Sequence, residues 1–448
     1  MKKIAFFVLR ISQLRVLLPI IEEMLSSGRM IPVLITTKTM NFGMKAAQNY
    51  DPSFNPFHDR MEIHYVDNFG EIPVIMDKNN IKILLSNILL AFSSSENNDG
   101  SALLKSLKER GVKFFYLEST HDAICVLPEI LSFDCFRLVD GFFCLSEYWK
   151  EGIVSALKRK FKLTDSEIME LSKKFYVVGW PELDSVEKLD KKAILEKYRL
   201  TNIKKMIVFF DPVGNVNYVP NFFYKYYFRI FGSKKEKILR FLKNLLIDMY
   251  SSPKIFWKLP FYLKAYLTYR KIPNYQELFF SLKKFCQDND YLLICKSREK
   301  NNDPDFIKTG CDLYTYDRGY LPFTLLELMC ISDVYVGFNS SSIMEAVYCK
   351  LPVLSIHVFP MRYQFSDYRG NIYEYLEECF NSPGEFLNFP GVNRVFFLYK
   401  QKIDFKEAFK GLKLDPQRRD DYVAKFIGFM DGKSSNRILN ILEENFLS

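Results

Sequence analysis

The sequence predicts an α/β protein of two domains, each built on a parallel β-sheet with helices on both faces. Three observations lead to this prediction. The 448 residues exceed the roughly 250–300 residues at which a single hydrophobic core stops growing. Short apolar, β-rich runs alternate with helix-like patterns in both halves of the chain, as parallel sheets require. The composition, with 48% hydrophobic and 26% charged residues, is ordinary for a soluble globular protein.

Six β-rich runs in the first half predict the strands of one sheet, at 3–9, 32–36, 62–66, 113–117, 141–145 and 175–178. Helical periodicity predicts helices at 14–26 and 101–110, and Gly111 ends the second of them. The Gly/Pro turn in VVGWPELD, residues 177–184, closes the series. We therefore assign residues 1–190 to an N-terminal Rossmann-like domain.

The second half repeats this alternation, with predicted strands at 205–210, 291–295, 333–337 and 352–356. Predicted helices lie at 275–288, 322–331 and 341–349, which assigns residues 191–425 to a second Rossmann-like domain. The stretch 415–447 predicts two helices that are broken at Asp431 and Gly432. The end of the chain, 426–448, is a C-terminal helix that can pack back on the N-terminal domain.

The chain carries no recognisable targeting, membrane-spanning or metal-binding signal. The apolar run at the N-terminus ends at Arg10 and is too short for a signal peptide. Nine cysteines form no C-x-x-C pair and four histidines are scattered, which disfavours a structural metal site. We therefore expect a reduced, cytoplasmic protein that needs no metal ion or other cofactor.

The basic excess of the chain lies in one segment, residues 221–272. This segment holds 12 Lys and Arg residues against two acids, whereas the rest of the chain holds 50 basic and 51 acidic residues. Some 15 aromatic side chains are interleaved with the cations. Such a segment suits peripheral contact with an anionic membrane at the inner face of the cell. A helical insertion that packs on the domain and leaves its lysines in solvent explains the segment equally well. Nucleic acid is the least favoured partner.

A strand, a serine-rich turn and a helix follow one another within ISDVYVGFNSSSIMEAVYCKLPVLSI, residues 331–356. The turn contains Ser340, Ser341 and Ser342, and Glu345 lies in or just beyond the first helical turn. A helix N-terminus at the carboxyl end of a parallel strand offers N–H groups to an anion, and hydroxyls add donors. The pattern indicates a phosphate site, and simple serine capping of the helix is the alternative.

This segment resembles the donor-binding segment of GT-B-fold glycosyltransferases, in particular the group around CDP-glycerol glycerophosphotransferases and bacterial surface-polysaccharide transferases. The resemblance implies two Rossmann-like domains with an interdomain cleft. It also implies an acceptor on the N-terminal domain, a nucleotide donor on the C-terminal domain, and no need for a metal ion. By position, the three serines would contact donor phosphate and Glu345 would contact the ribose.

Three further segments are similar to this group. VVGWPELD resembles the G-x-P-x-x-D turn that precedes the donor domain, and DGKSSNRI, residues 431–438, resembles a signature that closes many surface-polysaccharide transferases. FFDPVGNV stands where the first donor-facing loop is expected, which makes Gly214 and Asn215 donor-binding candidates. CKSREKNNDP lacks the His-Pro element of the group but retains Lys296. Lys296 would neutralise a donor phosphate, or else is an ordinary surface lysine.

FFYLESTHDA, residues 114–123, ends a predicted strand with titratable side chains. Catalytic groups gather at the carboxyl ends of strands in open α/β sheets. His121 is a candidate general base for an acceptor hydroxyl because histidine titrates near neutral pH, and Glu118 is the competing base. A histidine that only orders the loop is the alternative. Three other residues lie close to the ends of predicted strands and are candidates to line the same cleft: Arg10, Ser12 and His357.

Together these features predict a glycosyltransferase that acts by metal-independent direct displacement. It would move a sugar, acidic or neutral, from a nucleotide-sugar donor to a bacterial surface-polysaccharide or lipid-linked glycan acceptor. Two other enzyme activities on the same fold stay open, namely CDP-polyol phosphotransfer and epimerisation of a UDP-sugar. A non-catalytic scaffold that binds a glycan or a nucleotide is the alternative from another class.

Overall fold

A computed structural model describes residues 2–9, 11–37, 50–87, 101–118, 132–200, 205–210, 275–297, 304–317, 319–321, 323–338, 342–357, 364–366, 372–374, 389–397 and 404–447. The basic segment 221–272 lies outside these residues, so all three interpretations of it stay predictions. The chain divides into two compact units. Unit 1 comprises residues 1–194, 317–330 and 420–448, and unit 2 comprises residues 195–316 and 331–419.

The sheet of unit 1 has seven strands: β1 (Lys2–Val8), β2 (Met30–Thr37), β3 (Glu62–Val66), β4 (Ile83–Ser86), β5 (Lys113–Leu117), β6 (Gly141–Cys144) and β7 (Phe175–Val177). Their order is β3-β2-β1-β4-β5-β6-β7, and every neighbouring pair is parallel. All six predicted strands are present, and β4 is an additional strand that the sequence analysis did not predict. The order reverses at β1, which makes this sheet doubly wound.

The described helices of the first half are α1 (Ile11–Ser27), α2 (Glu71–Lys78), α3 (Ser101–Glu109), α4 (Phe133–Leu138), α5 (Glu147–Phe161), α6 (Asp165–Ser172) and α7 (Lys191–Lys197). Burial explains why the central strands are continuously apolar, because every residue from Ile4 to Val8 in β1 is inaccessible to solvent. A strand covered on both faces cannot alternate with polar residues. The helix α1 buries Leu14, Leu17, Leu18 and Ile21, whose spacing of three and four residues gives one apolar face.

Unit 2 contains a sheet of six strands: β8 (Lys205–Phe210), β9 (Tyr291–Ser297), β10 (Leu313–Tyr316), β11 (Val334–Phe338), β12 (Val353–His357) and β15 (Asn393–Phe397). The order is β10-β9-β8-β11-β12-β15, and all neighbouring pairs are parallel. A short antiparallel pair, β13 (Gln364–Ser366) and β14 (Ile372–Glu374), stands apart from this sheet. The four predicted strands are present, and β10 and β15 are additional.

The described helices of the second half are α8 (Tyr275–Asp288), α9 (Asp305–Gly310), α10 (Thr324–Ile331), α11 (Ser342–Tyr348), α12 (Phe405–Phe409), α13 (Pro416–Phe426) and α14 (Ser434–Leu447). The core of unit 2 packs α8 and α12 against the sheet, with Phe279, Leu282, Val336 and Leu354 among its buried members. Two parallel sheets with helices between their strands confirm the predicted α/β class. Among the helices described here, none is long and apolar enough to cross a membrane.

The two segments VVGWPELD and DGKSSNRI contact each other in unit 1. The carboxylate of Asp184 accepts hydrogen bonds from the backbone N–H groups of Ser434 and Ser435, at 3.0 and 2.7 Å. Ser434 and Ser435 are the first two residues of α14. Arg437 donates to the carbonyl oxygen of Val178 and pairs with Asp431. The helix α14 also packs against α1, and Arg29, just beyond the end of α1, donates to Asn440. These two motifs therefore join the C-terminal helix to unit 1.

We expect Asp184→Ala to lower the free energy of unfolding by about 1–3 kcal/mol, because two N–H groups at a buried helix start lose their acceptor. Urea denaturation of the purified chain measures the change. The matched control is Thr164→Ala, which removes the exposed cap of α6. This control is expected to cost at most about 1 kcal/mol. Equal losses in the two variants would show that Asp184 contributes nothing beyond an ordinary cap.

Candidate functional site

Polar side chains collect at the carboxyl edge of the sheet of unit 1. Thr36 and Thr37 end β2, Ser86 and Asn87 stand at the end of β4, and Glu118 follows β5. The carboxyl ends of parallel strands lie at the same edge, and the strand order reverses at β1, beside β2 and β4. Open α/β sheets bind their ligands outside the carboxyl ends of the strands at such a reversal. The edge is therefore the candidate functional site of unit 1.

Glu118 is a buried titratable group of this edge. Its backbone N–H donates to the carbonyl oxygen of Phe143 at 3.0 Å, and its Oε2 accepts a hydrogen bond from the N–H of Leu145 at 3.4 Å. The residue is only 1% exposed, and its Oε1 has no hydrogen-bond partner among the described residues. Burial raises the pKa of Glu118 to about 8, and the N–H of Leu145 lowers it by a smaller amount. The carboxyl group therefore holds a proton at neutral pH and can release it slightly above.

Other buried polar atoms of the edge also lack a partner within the described part of the chain. They are Oγ1 of Thr36, Oγ1 of Thr37 and Oδ1 of Asn87. Buried polar atoms are normally hydrogen-bonded, so these groups are available to a polar ligand. By contrast, the Ser86 hydroxyl donates to the carbonyl oxygen of Phe7 and supports the sheet.

The peptide of Leu145, which donates to Glu118, is held in place by α13. The hydroxyl of Ser146 donates to the carbonyl oxygen of Lys425 at 2.5 Å, and Nε1 of Trp149 donates to that of Phe426 at 2.6 Å. The last carbonyls of a helix have no partner within the helix, so side-chain donors satisfy them. This anchoring fixes the residues that follow Leu145, whose N–H contacts Glu118.

In unit 2, the described donor-binding candidates are buried. Lys296 lies near the carboxyl end of β9 and is 1% exposed, so it is not an ordinary surface lysine. Ser342 begins α11, and its hydroxyl lies 2.6 Å from the hydroxyl of Tyr335 on β11. Glu345 is buried within the same helix. The Tyr335 contact shows that Ser342 already has a partner inside unit 2.

Several candidates from the sequence analysis lie outside the described residues: Arg10, His121, Gly214, Asn215, Ser340 and Ser341. For Ser12 in α1 and His357 in β12 the structure describes the backbone alone. Their suggested roles stay predictions. Among the described residues, no group of three or more His, Cys, Asp or Glu side chains could hold a metal ion.

The sequence analysis missed Thr36, Thr37 and Asn87. The signal for the two threonines was present, because the predicted strand 32–36 ends in polar residues at its carboxyl end. Asn87 lies within an apolar tract, 81–92, that gave no strand boundary. Polar residues at the ends of predicted parallel strands are therefore worth treating as candidates together.

Two parallel-sheet α/β units in one chain are the architecture of the GT-B class. Comparison with solved structures confirms this fold. A UDP-GlcNAc 2-epimerase from Neisseria meningitidis bound to UDP-GlcNAc aligns with a TM-score of 0.54 and 12% identity over 99% of this chain and 100% of that chain. The UDP-GlcNAc 2-epimerase from Methanocaldococcus jannaschii in complex with UDP-GlcNAc and UDP aligns with a TM-score of 0.53 and 14% identity over 99% of each chain.

A variant of the wall teichoic acid polymerase TagF is also similar, with a TM-score of 0.52 and 13% identity over 99% of this chain and 88% of that chain. Neither a known protein family nor a curated protein sequence matches the chain. At these identities the likeness concerns the fold. The chain therefore has the GT-B-like fold that its sequence resemblance predicted.

Proposed function

We propose that the chain is an enzyme that acts on a nucleotide-activated sugar and transfers the sugar to a hydroxyl of a glycan acceptor. The observation that carries this proposal is Glu118, a buried carboxyl group at the carboxyl edge of unit 1 whose Oε1 has no hydrogen-bond partner in the described part of the chain. A pKa of about 8 suits a group that exchanges protons near neutral pH. The GT-B-like fold supports a nucleotide sugar as substrate, because similar folds include proteins solved with UDP-GlcNAc or UDP.

In the proposed reaction the acceptor hydroxyl contacts Oε1 of Glu118. The ionised carboxylate removes the hydroxyl proton while the acceptor oxygen forms a bond to the anomeric carbon. The bond between that carbon and the donor phosphate breaks, and the nucleotide leaves with the electron pair. Thr36, Thr37 and Asn87 would orient sugar hydroxyls through the buried oxygens that lack partners among the described residues. His121 remains the competing base.

The proposed donor site lies in unit 2. Lys296 would offset the negative charge that grows on the leaving phosphate. Glu345 would accept hydrogen bonds from the ribose, and the serine turn would bind phosphate through Ser340 and Ser341. In this proposal Ser342 orders the start of α11 through Tyr335. A surface-polysaccharide or lipid-linked glycan is the acceptor class that the sequence resemblance implies.

Ligand-induced thermal stabilisation tests the substrate class. The chain is screened against sugars linked to UDP, CMP, CDP and GDP, with free sugars as controls. A ligand at 100 times its Kd stabilises the folded protein by about 2.7 kcal/mol, which gives a measurable rise in Tm. A rise with one nucleotide class supports the proposal. If no nucleotide sugar raises Tm, the assignment to nucleotide-sugar chemistry is wrong.

Epimerisation of a UDP-sugar is the second candidate. The observation that favours it is again Glu118, because a carboxyl group that is protonated at neutral pH can donate a proton as well as remove one. Inversion of a carbon that bears hydrogen requires both steps, since the C–H bond breaks on one face and forms on the other.

Deuterium incorporation separates the two activities. We expect that incubation with the stabilising nucleotide sugar in deuterium oxide leaves the recovered sugar without carbon-bound deuterium, because transfer breaks only the bond to phosphate. Mass spectrometry of the recovered nucleotide sugar provides the measurement. One deuterium on a sugar carbon, together with inversion there, would identify an epimerase and overturn the transferase proposal.

A further inference from the structure

The strand register brings a lysine, a glycine and a serine to one level of the sheet of unit 2. Lys296 on β9 pairs with the residue of β8 that stands level with Gly337 on β11, and Gly337 pairs with Ser355 on β12. Paired residues of a parallel sheet direct their side chains to the same face. Lys296 and Ser355 therefore flank Gly337 on one face, with Ser355 on the next strand and Lys296 about 10 Å away, two strands in the other direction.

The opposite face of this sheet is apolar. The residues one position earlier in the same strands belong to the hydrophobic core that packs against α8 and α12, namely Cys295, Val336 and Leu354. Successive residues of a strand point to opposite faces, so Lys296 and Ser355 face away from that core. Tyr335, two positions before Gly337, points to the same side as they do, and its hydroxyl contacts Ser342 of α11 there. The lysine, the tyrosine and the start of α11 thus share one face of the sheet.

The ring of Tyr335 lies over Gly337. A Cβ at position 337 would stand 2.5 Å from Cε1 and 2.6 Å from Cζ of that ring, and it would also collide with the ring hydroxyl. A side chain at this position would therefore push the ring away. With glycine there, the Tyr335 hydroxyl reaches the Ser342 hydroxyl at 2.6 Å. Both residues are buried, and a hydrogen bond that is shielded from water is stronger than an exposed one.

Ser355 lies beside this contact. It is the register partner of Gly337, which the Tyr335 ring covers, so the serine side chain stands next to that ring on the same face. Ser355 is inaccessible to solvent, and its Oγ has no hydrogen-bond partner among the described residues. Buried hydroxyl groups normally have a partner. The Ser355 hydroxyl therefore indicates a further polar group on this face, beyond those that the described residues supply.

We propose that Tyr335 is a positioning residue of the donor site, because its hydroxyl holds Ser342 at the end of the serine turn. This inference rests on the proposed function, in which the turn and Lys296 act on the donor phosphates. The register places Lys296 on the same face as Tyr335, so a fixed Ser342 keeps the turn on the face that carries the lysine. Tyr335 is fully buried and acts through Ser342 rather than by touching the donor. Gly337 provides the space that the ring needs.

Titration calorimetry of the full-length chain with UDP, CDP, GDP and CMP tests this proposal. The Tyr335→Phe variant loses only the hydroxyl and keeps the ring over Gly337. We expect the Kd of the nucleotide that binds the wild-type chain to rise about tenfold, which corresponds to about 1.4 kcal/mol, the effect of one hydrogen bond. The matched control is Tyr348→Phe, which removes a hydroxyl from the buried tyrosine at the other end of α11 and should leave the Kd unchanged.

A double-mutant cycle separates positioning from a merely structural role. Ser342→Ala should weaken nucleotide binding to the same extent as Tyr335→Phe, and the two changes together should weaken it no further, because both break one contact. A tyrosine that only stabilised the sheet would contribute to the free energy of unfolding, measured with urea, and its loss would leave the Kd of the folded protein unchanged. Ser342→Ala also keeps the proposal testable if Tyr335→Phe does not fold.

The result for the wild-type chain separates this inference from the proposed function. If no nucleotide binds the wild-type chain, the proposed function is wrong and the inference falls with it. If the wild-type chain binds a nucleotide and Tyr335→Phe binds it as tightly, the inference alone is wrong. Losses that add up in the double variant would also overturn it, because Tyr335 would then act through a group other than Ser342.

Discussion

The Glu118→Gln variant is expected to turn over the nucleotide sugar with kcat/KM lowered by about 10²–10⁴-fold, the usual contribution of a general acid or base. Glutamine has the same shape, and its amide oxygen can still accept the hydrogen bond from the N–H of Leu145. The change therefore removes proton transfer and little else. Steady-state kinetics with the nucleotide sugar found by thermal screening provide the measurement. Activity within about twofold of wild type would exclude Glu118 and leave His121 as the candidate base.

The pH dependence of the wild-type enzyme gives a second readout of the same group. If the ionised carboxylate is the base, kcat/KM rises with pH and levels off above about 8, the pKa to which burial raises Glu118. The residual activity of the glutamine variant should lack this rise. A wild-type profile that falls as the pH rises towards 8 would instead indicate that the protonated carboxyl acts as an acid.

The same substitution is expected to stabilise the protein. Glu118 has a raised pKa in the folded state, so between pH 4.5 and about 8 the unfolded chain loses this proton while the folded chain keeps it. Stability therefore falls with rising pH in that window. Each pKa unit corresponds to about 1.4 kcal/mol, so the glutamine variant should gain on the order of 3 kcal/mol at pH 7.

A surface carboxylate provides the opposite control. Glu62 accepts from Lys3, and this hydrogen bond, helped by His64, lowers the pKa of Glu62. The Glu62→Gln variant should therefore gain no stability at pH 7, because its carboxylate is favoured in the folded state. Urea denaturation between pH 5 and 8 compares the two variants with wild type. A Glu118→Gln protein that loses both activity and stability would indicate a structural role for this carboxyl.

The sequence could predict Glu118 because it follows a short apolar run, and parallel strands place their carboxyl ends at one edge. It could not predict that Leu145 would donate to it, since the two residues lie 27 positions apart and follow different strands. The contact of Asp184 with Ser435 spans 251 positions. Both segments were recognised as motifs of a transferase group, yet their shared role in capping α14 is a tertiary contact that local patterns do not carry.

The strands that were missed have a physical reason too. The strand β4 lies within the apolar tract 81–92, whose uniform hydrophobicity hides where the strand ends. In the edge strand β10, burial does not follow the polarity of the side chains, because the polar Thr315 is buried while the aromatic Tyr316 is exposed. A period-two pattern over four residues is too short to identify a strand. The other central strands were found because they are apolar runs that turn signals or helical patterns separate from the next element.

The contacts of Glu118 connect it to the start of the C-terminal tail. Leu145 donates its N–H to Glu118, and the carbonyl oxygen of Leu145 lies against Gly428, just after α13. Gly428 has a φ of +95°, and its N–H donates to the carbonyl oxygen of Val423 at 2.8 Å. Only glycine adopts this backbone conformation without strain, and only glycine leaves room for the Leu145 carbonyl. One glycine thus lets the tail pack directly against the peptide that contacts the candidate catalytic group.

The Gly428→Ala variant is therefore expected to lose about 3–5 kcal/mol of unfolding free energy. The strained φ accounts for about 1–3 kcal/mol, and the added Cβ would collide with the Leu145 carbonyl oxygen. The matched control is Gly111→Ala. Gly111 has a φ of +68°, but among the described residues no neighbouring atom lies within 4 Å of the added Cβ, so this variant should lose only about 1–2 kcal/mol. Urea denaturation of both variants measures the difference.

If the Gly428→Ala variant folds, displacement of Leu145 weakens the hydrogen bond that lowers the Glu118 pKa, so the midpoint of the activity profile should move to higher pH. Equal stability losses in the two variants, with an unchanged midpoint of the pH profile, would show that a Cβ at position 428 does not displace the Leu145 carbonyl.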